Sequence, residues 1–189
     1  MHVKLISMFV VTLLIGLPTA SSLAGNPIRV ATFEVDATPP IGSPLAYDPM
    51  KEAVMPLSCR GIVLLGDDKP IVLCCVDWIG ISNDGNKVFR QRLAEAAGTT
   101  AQRVAVHTVH QHDAPRLDFS AEEIMAKQGE SGTMFNVEHA KSVIDNASDA
   151  VAKAVQGAQP VTHIGLGEGL VDKAFTESNV GNRLGTLDG

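Results

Sequence analysis

The sequence predicts an α/β fold: a mixed sheet with a hairpin and a βαβ unit, helices packed on the sheet, forming part of a larger domain. Three observations carry this. Two apolar runs, Cys59–Leu65 and Ile71–Asp77, flank the turn residues Gly66-Asp67-Asp68-Lys69. That is the pattern of an antiparallel hairpin. A helical segment then separates the hairpin from another apolar run, and strand, helix, strand in that order makes a parallel neighbour. Finally, Val137, Ala140, Ile144, Ala147, Val151 and Ala154 recur at spacings of three and four, one clean helical face.

The elements follow in order. Ile28–Val35 reads as a first strand, closed by the breaker-rich turn Asp36-Ala37-Thr38-Pro39-Pro40-Ile41-Gly42. Residues 43–57 have no period and read as loop. The second hairpin strand is continuously apolar, as expected of a strand covered on both faces. A helix is expected from about Asn86 to Ala97, with Asn83 or Asp84 as its cap. Phe89, Leu93 and Ala97 form its buried stripe, and Gly98 ends it. Val104–Val106 is the next strand. Asn136 caps the long helix, Gly157 closes it, and a last strand over Val161–Leu166 returns to the sheet. Asn146-Ala147-Ser148 matches a glycosylation sequon, but mid-helix it reads as chance.

The first 24 residues stand apart. Met1-His2-Val3-Lys4 is a short positive start, Leu5–Leu17 is almost wholly apolar, and Ser22-Leu23-Ala24 supplies a small-x-small cleavage pattern. This reads as a signal peptide cut before Gly25, the apolar run being short of the ~20 residues a membrane span needs. The mature chain, 25–189, is expected to be secreted or periplasmic, without a transmembrane segment. Its acidic balance (formal net charge −6 for the whole chain) and lack of any basic run argue against a nucleic-acid partner. Aromatic residues are only 4%, so the core must come from Val, Ile, Leu and Ala. The oligomeric state is not legible. The ending on Asp188-Gly189, a turn signal with no return strand, reads as an incomplete chain.

Three cysteines leave at least one unpaired. An odd-length turn would set Cys59 opposite Cys75. Two readings stay open there, a cross-strand disulfide and the preferred one of buried free thiols. The spacing of structural zinc sites is absent from Cys59, Cys74 and Cys75.

The chemistry-bearing segment is His107-Thr108-Val109-His110-Gln111-His112-Asp113-Ala114-Pro115, which holds three of the six histidines where a buried strand should end. On a strand, His110 and His112 would share a face. Two such imidazoles can share a metal ion, or one can bind metal while the other holds substrate or moves a proton. Asp77, at the end of the hairpin, is the local candidate to accept an imidazole N–H and fix its tautomer. His139 and His163 read as structural or solvated. No nucleophile elbow, phosphate loop or dinucleotide fingerprint is present, and Gly165-Leu166-Gly167-Glu168-Gly169 lacks the following helix that would give it meaning.

These residues fall in a familiar order. Asp36-Ala37-Thr38-Pro39-Pro40 follows the first strand, a hairpin ends in the acidic Asp77, and a helix carries an Arg-rich face. A strand then runs into His110-x-His112-x-x-Pro115. This resembles the N-terminal part of the neutral/alkaline non-lysosomal ceramidase family over most of residues 28–118. The resemblance implies an exported zinc amidase that splits N-acylsphingosine, with His110 as a zinc ligand and His112 beside the metal, contacting substrate. The family's other ligands, a His, a Glu and a Tyr, lie downstream of this motif and have no match before Gly189. The family also usually carries Thr between the histidines and Ser-Gly before the proline, where this chain has Gln111, Asp113 and Ala114. The Asp113 carboxylate is thus an added charge beside the implied metal. The expected substrate is a small-molecule or lipid amide. The alternative is a non-catalytic secreted α/β module whose histidine cluster is incidental.

Overall fold

A computed structural model describes residues 26–169. The expected signal peptide, its cleavage point and the terminal Ser178–Gly189 loop lie outside them. Seven strands and three helices alternate along the chain: β1 (Arg29–Asp36), β2 (Ser58–Leu65), β3 (Ile71–Val76), β4 (Gly80–Ile81), α1 (Asn83–Ala97), β5 (Val104–Thr108), β6 (Arg116–Leu117), α2 (Phe119–Lys127), α3 (Val137–Gln156) and β7 (Gln159–Pro160). The main sheet has the order β5-β3-β2-β1-β7. Only β3 and β5 run parallel; the other pairs are antiparallel. The fold is therefore α/β with a mixed sheet, containing both the hairpin β2–β3 and the βαβ unit β3–α1–β5. A second, two-stranded parallel sheet pairs β4 with β6.

Strand alternation sorts the core. Ala31, Phe33, Cys59, Val63, Leu65, Val72, Cys74, Val76 and Val104 are buried on one face of the sheet. Helices α1 and α3 lie over that face, contributing Phe89, Leu93 and Ala97 from α1 and Ala140, Ile144, Ala147 and Val151 from α3. The expected stripe of α3 is thus realised, with Val143 added to it and Val137 and Ala154 only half-buried. Asn136 caps α3 through its side-chain oxygen, which accepts the N–H of His139 at 3.0 Å. Gly61 faces Phe33 across β1 and β2. A Cβ there would collide with the Leu73 carbonyl oxygen and would stand 2.8 Å from the Phe33 ring, so the aromatic ring occupies the space a side chain would take.

Several expectations need correction. Helix α1 begins at Asn83, not Asn86, and its cap position is Ser82, which makes no side-chain cap bond. Its entry is set instead by the main chain, the Ser82 N–H donating to the Leu117 carbonyl as β4 meets β6. The last strand is two residues long rather than Val161–Leu166. Pro160 supplies no N–H, one further bond runs from Val161 N–H to the Ile28 carbonyl, and the glycine-rich stretch beyond is exposed and unpaired. Accordingly His163 lies on exposed irregular chain rather than in a strand. Nor is β3 covered on both faces among the described residues, since Ile71 and Leu73 remain 38% and 41% exposed. Register places Arg60, not Cys59, opposite Cys75. All three cysteines are free thiols here, with Cys59 and Cys74 buried.

If α3 packs through this face, Ile144→Ala should lose roughly 2–4 kcal/mol of unfolding free energy. A urea titration checks it, and the exposed Ser142→Ala serves as the near-neutral control.

Candidate functional site at the carboxyl end of β3

The residues just past β3 organise the site. Four consecutive main-chain carbonyls, Val76 to Ile79, hold the segment after β5. Val76 accepts from Val109 N–H at 3.2 Å, and Trp78 from His110 N–H at 3.2 Å. Asp77 accepts from the Gln111 side-chain amide at 3.1 Å, and Ile79 from His110 Nδ1 at 2.7 Å. Gln111 also closes the loop on itself, donating to the Asp113 carbonyl and accepting the Asp113 N–H at 2.9 Å. Held this way, His110 takes a left-handed backbone conformation (φ 60°). The histidines therefore sit on a loop after Thr108 and do not alternate along a strand.

The loop still brings the two imidazoles together. Their ring centroids are 5.1 Å apart in an edge-to-face arrangement. A carbonyl oxygen can only accept, so the proton in the His110–Ile79 bond is on Nδ1. In the neutral ring this leaves the Nε2 lone pair available. Carbonyl bonds of this kind orient metal-ligating histidines. His112 is half-buried, with Nδ1 3.4 Å from the Tyr47 hydroxyl and the two rings 5.5 Å apart. Tyr47 has no periodic or motif context in the sequence. Only the fold of the 43–57 loop carries it to the histidines.

Asp77 serves a different neighbour from the one expected. Its carboxylate accepts from the Ser58 N–H and hydroxyl, both at 2.8 Å, and lies 3.6 Å from Arg60. No hydrogen bond joins it to either imidazole, and what fixes the His110 tautomer is the Ile79 carbonyl. Asp113 is exposed. With Asp77, Arg60 and Gln111 it lines a cleft of about 660 Å³ whose other wall includes Met50, Val54 and Met55. His107 points away from this edge, on the open sheet face beside Cys75.

The turn after β1 buttresses the site from behind. The buried carbonyl of Ala37 accepts from the Trp78 indole at 3.0 Å and from His139 Nε2 at 3.3 Å. His139 is thus half-buried with a structural partner, rather than solvated on the polar side of α3. The Thr38 hydroxyl and N–H beside Asp36 hold its carboxyl below the usual carboxylate range.

Zinc chemistry can be tested against these donors. The free His110 Nε2 is a suitable ligand, and His112 adds a second imidazole within reach of the first. Among the described residues, however, no group of three His, Cys, Asp or Glu side chains could hold a metal. A catalytic zinc takes three protein ligands and an open position. His110 fits zinc as one member of a ligand set that the described residues do not complete.

Removing the Asp77 acceptor strands the Ser58 N–H and hydroxyl, so Asp77→Ala should cost about 1–3 kcal/mol in denaturant unfolding. Asp77→Asn keeps an acceptor oxygen and should recover most of that loss.

No family model matches the chain, and no curated protein matches it in sequence. Solved structures do resemble it, two of them as follows. Neutral ceramidase from Pseudomonas aeruginosa aligns with a TM-score of 0.50 at 16% identity, over 71% of this chain and 22% of that one. A ceramidase complexed with C2 aligns with a TM-score of 0.50 at 14% identity, with the same coverage. At these identities the likeness is one of fold. The chain spans about a fifth of the length of these proteins, and over that span it has a ceramidase-like fold.

Proposed function

We propose that this chain is the N-terminal portion of an exported, zinc-dependent amide hydrolase of ceramidase type. In this reading residues 1–24 are a signal peptide, and residues 25–189 belong to the catalytic domain. The observation that supports it best is His110, whose Nδ1 is tied to the Ile79 carbonyl at 2.7 Å so that Nε2 is free. It lies in a chain that shares the fold of part of neutral ceramidase. Among the described residues no helix is long and apolar enough to cross a membrane.

His110 would hold zinc through Nε2, with further ligands from outside the described residues. Bound there, zinc supplies a Lewis acid for an amide carbonyl and lowers the pKa of a water. His112, 5.1 Å away between ring centroids, would hydrogen-bond the developing oxyanion or pass a proton to the leaving amine. Tyr47 orients that imidazole from the other side. The neighbouring cleft is lined by Val109, Gln111 and Asp113 of the same loop rather than by the two imidazoles, and a small-molecule or lipid amide would reach the histidines past its edge.

Zinc content and amidase turnover of the complete protein test the assignment. His110→Ala should abolish stoichiometric zinc. His112→Ala should retain zinc and lower turnover about 100-fold or more, as loss of a general acid–base or oxyanion contact does. His139→Ala should leave zinc in place. The isolated 189-residue chain should bind zinc weakly and show no amidase activity. Tight one-to-one zinc in that short chain, indifferent to His110→Ala, would overturn the assignment. N-terminal sequencing of exported protein should begin at Gly25, and an intact Met1 would remove the export part of the reading.

A further inference from the structure

We propose that Cys59 and Cys74 close into a disulfide that pins β2 to β3 when the chain folds under oxidising conditions. Both side chains lie on the inward face of adjacent antiparallel strands, fully buried in the core. Cys59 is opposite Val76 and Cys74 opposite Gly61, so the cysteines are diagonal neighbours. Their sulfurs are 3.5 Å apart. A disulfide bond is about 2.05 Å long, so they must approach by about 1.5 Å. Diagonal partners on antiparallel strands stand about 7–8 Å apart, at the edge of what a disulfide spans, so closure takes a backbone movement of β2 against β3 as well as side-chain rotation. Gly61, opposite Cys74, carries no side chain, but the Phe33 ring fills the space beside it, so the approach must come from the two cysteines and their own strands.

The third cysteine is excluded by the pleat. Cys75 faces the open side of the sheet, opposite Arg60 and next to His107, and cannot reach either buried sulfur without reversing the strand. The core also decides when the bond can form. The neighbouring Cys59 thiol and burial push Cys74 far above the ordinary thiol range, so it does not ionise once packed. Exchange requires a thiolate. The bond therefore forms while β2 and β3 are paired and still open to solvent, and the finished core then shields it from reductants.

The oxidant is an external disulfide of the glutathione class. One cysteine thiolate displaces one half of it, giving a mixed disulfide, and the other cysteine thiolate attacks the protein sulfur and displaces the second half. The two cysteine sulfurs give up two electrons in forming one S–S bond. The external disulfide is reduced to two thiols, which take up the two protons.

The test uses the full chain secreted behind a standard bacterial leader into an oxidising periplasm. Folded protein is unfolded in denaturant with N-ethylmaleimide and no reductant, digested and mapped by mass spectrometry. The expected result is a Cys59–Cys74 peptide lighter than its two thiol halves by two hydrogens, with Cys75 alkylated. Cys75→Ala should keep the crosslink, and reduction should lower the melting temperature of that variant. Recovery of Cys59 and Cys74 as alkylated free thiols, or a crosslink that involves Cys75, overturns the proposal. None of these outcomes depends on zinc or on amidase activity.

Discussion

The run of four carbonyls from Val76 to Ile79 is the constraint on which the site depends. Parallel pairing of β5 with β3 ends at Thr108, and beyond it the acceptors of β3 remain available. The chain after β5 satisfies them in a non-strand geometry, through two main-chain donors, one glutamine side chain and one imidazole. Buried main-chain acceptors must find partners, so the loop conformation follows from the end of the sheet. In open α/β sheets the carboxyl ends of strands are where ligands bind. Here that edge both builds the loop and orients its first imidazole.

Trp78 ties this edge to the rest of the core. Its main-chain carbonyl holds His110, while its indole donates to the Ala37 carbonyl, which His139 of α3 also engages. One residue thereby couples the end of β3, the turn after β1 and the start of the long helix. The indole is buried, so its N–H needs an acceptor, and the kinked Asp36–Pro40 turn provides one. The position of the histidine loop is consequently set by core packing as well as by local hydrogen bonds.

The sequence made the large elements legible because their patterns are periodic. The hairpin, the βαβ unit and α3 each follow from alternation or from three-and-four spacing, and the Asn136 cap is visible as a residue type in the right place. Helix α2 escaped notice. It has nine residues and no continuous apolar stripe, although Asp118 ahead of Phe119 is a cap signal, its carboxylate accepting from Ser120 and Ala121. The strand expected over Val161–Leu166 had alternation but no partner chain along the edge of β1. At the site, residue types pointed to His110 and His112, but the orienting partner was read as the Asp77 carboxylate rather than a peptide carbonyl. Peptide carbonyls have no sequence signature. Tyr47 was equally hidden, because a contact across sixty-five residues leaves no local trace.

His110 occupies a backbone conformation that glycine or asparagine adopts at less cost. A histidine there gives up local stability that a glycine would have retained, and the rest of the domain must make good the difference. Part of that cost is met locally, by the Nδ1 bond to the Ile79 carbonyl that this backbone conformation permits. Glycine at position 110 would ease the backbone and lose that bond, so the path of the loop and the orientation of its imidazole are set together.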